Sequence, residues 1–67
     1  MKKGTVKWFG PVRGYGFILG DDGKDYFVHR SAILGIGFRF LEPGQRVQFN
    51  DRASDKGDLA VDVVIIG

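Results

Sequence analysis

Apolar and polar residues alternate with a period of two through five short stretches of the chain. Nowhere does an apolar stripe of helical period run for even eleven residues. In the first stretch, Lys3–Phe9, strict alternation places Val6 with Trp8 on one face and Lys7 with Phe9 on the other. That mixes polar with apolar, so either a bulge shifts the phase or both faces are partly covered. Gly10-Pro11 ends this strand, because the pair is a turn signal and Pro cannot donate to a ladder. The second stretch, Arg13–Leu19, places Tyr15 and Phe17 on one face and Gly14, Gly16 and Ile18 on the other, with Arg13 at the parity of the rings. Gly20–Lys24 carries turn residues at nearly every position and reads as a hairpin loop. In the third stretch, Asp25–His29, Tyr26 and Val28 share one face while Phe27 and His29 share the other; Val28 marks the inner side.

Beyond His29 the alternation breaks. Ser31–Leu34 fits a single helical turn capped by Ser31 and stopped by Gly35 and Gly37. The loop from Gly35 to Gly44 holds Phe38, Arg39 and Phe40, the kind of residues that close over a ligand. Arg46–Asn50 is the fourth strand, with Val47 and Phe49 inward. After the loop Ser54–Asp58, Leu59–Ile65 is the fifth, with Leu59, Val61 and Val63 on one face. Five short strands with glycine-rich turns predict an all-β domain, and at this size a closed barrel removes exposed edges.

Composition narrows the chemistry. With 67 residues the chain makes one domain, 1–67, with a small core. It has no Cys and a single histidine, His29, so neither disulfides, a zinc site nor a nucleophilic triad can be assembled. Gly14-Tyr15-Gly16 is only a fragment of a dinucleotide fingerprint, since Leu19 stands where the third Gly belongs. Gly23-Lys24 is followed by Asp25 instead of Ser or Thr, and Asp21, Asp22 and Asp25 lack calcium-loop spacing. No enzyme, cofactor or metal is expected. With no apolar run of signal-peptide or membrane-span length, the expectation is a soluble, cytoplasmic protein. The net charge of +2 is unevenly spread: residues 1–20 carry four basic and no acidic residues (+4), residues 21–67 six basic and eight acidic (−2). Two rings with Arg13 beside them, in the basic part of the chain, are the components of a stacking surface for single-stranded nucleic acid. The competing reading is a small barrel that binds a protein partner, or dimerises, through the same aromatic face.

Taken together, Gly4-Thr5-Val6-Lys7-Trp8-Phe9, Arg13-Gly14-Tyr15-Gly16-Phe17-Ile18 and Asp25-Tyr26-Phe27-Val28-His29 resemble the bacterial cold-shock protein family, the second and third blocks being similar to its two ribonucleoprotein motifs. Ser31-Ala32-Ile33, Gly44-Gln45-Arg46-Val47 and Lys56-Gly57 match as well, so the resemblance covers nearly the whole chain. It implies a five-stranded antiparallel OB-type barrel with one short helical turn after the third strand. It also implies binding of single-stranded RNA and DNA with little sequence preference, pyrimidine-rich stretches favoured, and an RNA-chaperone role; a monomer is expected, with pairing of two copies through the exposed aromatic sheet left open. Carried over by position, the stacking residues are Trp8, Tyr15, Phe17, Phe27, His29 and Phe38, with Lys7, Arg13, Asp25 and Lys56 supplying charge and hydrogen bonds. The chain departs from the pattern at Gly10-Pro11, where a side-chain hydrogen bond to a base is lost, and at Arg13, where Lys is commoner. Arg30 stands where an aromatic is typical and supplies a guanidinium for stacking or phosphate pairing. Tyr26 replaces an inward aliphatic residue, so its hydroxyl needs a partner or a route to the rim. Lys2, Lys3 and Lys24 read as solvated charge, and the tail Val64-Ile65-Ile66 is unusually apolar.

Overall fold

The computed structural model describes residues 1–35 and 40–67. Five strands, β1 (Lys2–Gly10), β2 (Tyr15–Gly20), β3 (Asp25–His29), β4 (Arg46–Ser54) and β5 (Gly57–Ile65), close into a barrel in the order β1-β2-β3-β5-β4, with β4 pairing back to β1. All neighbours are antiparallel except β3 and β5, which run parallel and share one registered pair, Phe27 with Leu59. A 3₁₀ turn, Arg30–Ala32, follows β3. Ser31 is not its cap. The His29 side chain takes that place and accepts the Ser31 backbone N–H, because the chain turns one residue earlier than the Ser signal suggests.

The core is made by Val6, Phe9, Ile18, Tyr26, Val28, Ile33, Leu41, Val47, Phe49, Ala60 and Val63. Two bulges decide which residues enter it. In β1, Val6 pairs with Ile18 and Trp8 with Phe17, so Lys7 is an extra residue. The shift turns Trp8 outward and brings Val6 and Phe9, three apart, both inward. In β5, Gln48 pairs with Val64 but Asn50 with Val61, so β5 holds the extra residue. There Asp62 takes a left-handed φ of 53°. The expected common face of Leu59, Val61 and Val63 is therefore split: Val63 is buried together with Ala60, while Leu59 and Val61 are only half-buried.

The second strand is also shorter than expected. Arg13 and Gly14 belong to the turn before it, where Gly14 has a φ of 80°. Gly16 faces inward beneath the β1 bulge. A methyl there would collide with the Trp8 carbonyl oxygen and lie 2.7 Å from Phe9 Cα, so the close crossing of β1 over β2 requires glycine.

At the end of the barrel away from the β1–β2 turn, Tyr26 is buried to 1% exposure and its hydroxyl donates to Asp22 Oδ2 at 2.5 Å. The Tyr26 bond, then the Lys24 backbone N–H at 3.0 Å and Lys2, hold the Asp22 carboxyl down at about 2. Lys2 is thus paired, with Nζ 3.4 Å from Asp22, and is not free solvated charge. Beside it Arg46 makes a two-pronged contact with Asp21, both bonds at 2.8 Å, and donates to Thr5 Oγ1 at 3.0 Å. This pairing lowers the Asp21 carboxyl and raises the guanidinium. The apolar tail leaves the barrel beside β4, its Ile66 N–H bonded to the Arg46 carbonyl at 2.9 Å.

Candidate nucleic-acid interface

Three neighbouring strands each turn alternate residues outward, and the β1 bulge brings Trp8 into the same set. In register, Trp8 lies across from Phe17, Phe17 from Phe27, and Tyr15 from His29. Trp8 is 42% exposed, Tyr15, Phe17 and Phe27 are half-buried, and His29 is exposed. Their inner neighbours Ile18 and Val28 are completely buried, so the outward rings are not core that happens to reach the surface.

The four rings form a closed circuit. Trp8 meets Tyr15 and Phe17 at 5.8 Å each, Phe17 meets Phe27 at 5.7 Å, and Phe27 meets Tyr15 at 5.6 Å. The Tyr15–Phe27 pair is stacked, with planes 27° apart, and the other three are tilted or edge-on. Such mutual contact holds each ring in place without a covering layer, so the side chains are ordered before a ligand arrives.

His29 extends the row. Its Nδ1 accepts from the Ser31 N–H at 3.1 Å and lies 2.9 Å from Ser31 Oγ. With Nδ1 acting as acceptor, the neutral ring carries its proton on Nε2, which faces away from the turn as a donor. Ser31 thus orients a site residue, a role the sequence reading assigned only to helix capping.

Charge surrounds the rings unevenly. Arg13 Nη1 lies 3.3 Å from the Tyr15 hydroxyl. Lys7 and Asp25, on the far side, form an exposed ion pair at 3.3 Å, so part of the cationic charge at that edge is already neutralised. Arg30 lies over Gly14: a methyl there would meet its Cδ at 3.3 Å. Lys56 comes from the β4–β5 turn and, with Ser54, Asp55, Phe17, Phe27 and Leu59, walls an open hollow of about 660 Å³. A smaller hollow of about 150 Å³ lies on the other side of the Phe27–Leu59 pair, against His29 and Ser31.

The structure therefore brings together Trp8, Arg13, Tyr15, Phe17, Phe27 and His29, with Lys7, Asp25, Arg30 and Lys56 around them. Phe38 and Arg39 lie outside the described residues. Leu59 escaped the sequence reading altogether. Alternation places it only on a face shared with Val61 and Val63, and the parallel pairing of β3 with β5 sets it beside Phe27. No group of three or more metal-binding side chains occurs among the described residues, and no helix there is long and apolar enough to cross a membrane.

Comparison with known proteins agrees with this geometry. The family model of the "Cold-shock" DNA-binding domain matches residues 2–66. Cold shock protein 1 of Lactiplantibacillus plantarum is 58% identical over 64 residues, which are 96% of this chain and 97% of that one. Cold shock-like protein CspC of Escherichia coli K12 is 52% identical over 65 residues, 96% of this chain and 94% of that one. Among solved structures, Drosophila Unr CSD456 superposes with a TM-score of 0.80 at 18% identity, over 98% of this chain and 26% of that one, a likeness of fold.

Proposed function

The chain belongs to the cold-shock DNA-binding domain family, and from that premise we propose that it binds single-stranded RNA and DNA with little sequence preference. Unpaired bases stack on Trp8, Tyr15, Phe17, Phe27 and His29, with Phe38 as a further partner. Lys7, Arg13, Asp25, Arg30 and Lys56 follow the sugar–phosphate backbone and the base edges. The observation that carries this reading is the closed circuit of four outward rings at 5.6–5.8 Å. Every base has a π-face, so a stacking platform tolerates sequence, and pyrimidine-rich strands are favoured because they unstack most easily.

Stacking contributes roughly 1–3 kcal/mol per base, so three or four bases reach the order of a micromolar complex, about −8 kcal/mol. The platform accepts only splayed bases. Binding therefore draws a hairpin transcript toward its open form by mass action, which is the action of an RNA chaperone and needs no hydrolysis.

Titration of Trp8 fluorescence with a short oligo-dT, alone and as a duplex, tests the reading. Quenching by the single strand and not by the duplex is expected. Absence of any change with either strand would sink it, and concentration-dependent sedimentation would then show whether the aromatic face pairs with a second copy.

A further inference from the structure

The cations of the barrel differ in what they already hold. Lys2, Lys7 and Arg46 each have a carboxylate, from Asp22, Asp25 and Asp21. Arg13 and Arg30 have none among the described residues. Both come from stretches, residues 1–20 and 26–41, that contain no Asp or Glu. The β1–β2 turn and the 3₁₀ turn meet at Gly14 and Arg30.

Gly14 adjoins both arginines, Arg13 in sequence and Arg30 in space. Arg13 precedes it in the chain, and its guanidinium is steadied by the Tyr15 hydroxyl at 3.3 Å. The Arg30 backbone N–H donates to the Gly14 carbonyl at 2.8 Å. The Arg30 stem then crosses the bare glycine, with Cδ, Cγ and Nε at 3.3, 3.6 and 3.7 Å from where a methyl would stand. A fork already bonded to the Tyr15 hydroxyl and another whose stem lies over Gly14 lose little freedom on meeting an anion, and guanidinium matches phosphate oxygens in pairs.

We propose that Arg13 and Arg30 form a two-guanidinium clamp for one backbone phosphodiester of the bound strand, at the Tyr15 end of the platform. The proposal rests on the single-strand reading above and adds a charge-fixed anchor to it. The strand is held at one end by charge and proceeds across the rings by stacking.

Trp8 quenching by oligo-dT, measured from about 50 to about 400 mM salt, tests the clamp with Arg13→Gln, Arg30→Gln and the double variant. Each neutralised phosphate contact is worth about 0.7 in the slope of log K against log salt on single strands. The clamp shares one phosphate, so the double variant is expected to lose about that much, whereas each single variant, which leaves one guanidinium on the phosphate, should lose little of it. A second measurement walks one uncharged methylphosphonate linkage along the oligo-dT. One position should weaken binding to the wild-type protein and leave the double variant unaffected. Equal salt slopes in wild type and double variant, or no linkage that distinguishes them, would overturn the clamp while leaving the platform intact. Failure of the wild-type protein to bind the single strand at any salt would remove the platform itself.

Discussion

Tyr26 and Phe27 are consecutive residues of β3, and they serve opposite ends of this molecule. Tyr26 points inward, packs 4.9 Å from Phe49, and places its hydroxyl on Asp22 in a region where Lys2 and Arg46 are both matched by carboxylates. Phe27 points outward, stacks on Tyr15, and lies in a surface that also carries Arg13, bonded to Tyr15 and with no carboxylate among the described residues. Similar side chains have been committed to stability in one place and left available in the other. At the closed end Tyr26, Asp22 and Lys2, and Arg46 with Asp21 and Thr5, satisfy one another. At the aromatic end the same kinds of groups are ordered by one another and await a partner, as a preorganised binding surface requires.

The largest separation between the two regions should come from truncating an aromatic in each. Phe49→Ala removes a fully buried ring at a cost of about 3–5 kcal/mol, comparable to the whole stability of a domain this small. Thermal unfolding by circular dichroism should show the variant largely unfolded near room temperature; a stable variant would mean that the core collapses around the gap. Phe27→Ala should leave the unfolding midpoint within a few degrees while weakening oligo-dT binding by roughly 1–3 kcal/mol in a fluorescence titration. A large loss of midpoint with unchanged affinity would reverse the assignment of the two faces.

Tyr26→Phe sharpens the comparison from the closed end. Asp22 has a folded value of about 2, below its ordinary 3.8, so it contributes stability that is fully present above about pH 4 and is lost as pH falls through about 2. Removing the hydroxyl takes away the largest cause of that shift. The midpoint of the variant should lie below wild type at neutral pH, and the gap should close as pH falls from about 4 to about 2. Oligo-dT affinity at neutral pH should not change, and a gap independent of pH would show that Asp22 is not the group responsible. The smallest effect belongs to Lys7→Gln. The Lys7–Asp25 pair is exposed and screened, so stability should change by less than about 1 kcal/mol and the salt slope of binding by no more than about 0.7. Unfolding and salt-titration curves measure both.

Much of the barrel was legible in the residues. Gly20–Lys24 between two alternating runs marks the β2–β3 hairpin, and Asp25–His29 is a strand with the predicted bounds and faces. The burial of Tyr26, with its demand for a hydroxyl partner, also followed from Val28 on the same side. The partner itself did not. Asp22 reads as a turn residue, and only the folded hairpin brings it to the ring. Trp8 shows the limit of alternation most clearly. A strict period of two places it with Val6, and the bulge at Lys7 reverses that by adding one residue on one strand only. The bulge in β5 separates Leu59 and Val61 from Val63 in the same way.

Local chemistry by itself determined the number of strands, the turns between them, and the presence of an outward aromatic row beside a basic segment, because period, glycine placement and charge order are properties of neighbouring residues. The family resemblance added the expected closure into an OB-type barrel. Tertiary structure decided the phase of β1 and β5, the parallel seam that sets Leu59 against Phe27, the Asp22–Tyr26 bond, and the crossing of Arg30 over Gly14. Each of these depends on how one strand lies across another: the mixed faces of β1 signal a bulge or a two-sided cover, and only the pairing with β2 chooses between them.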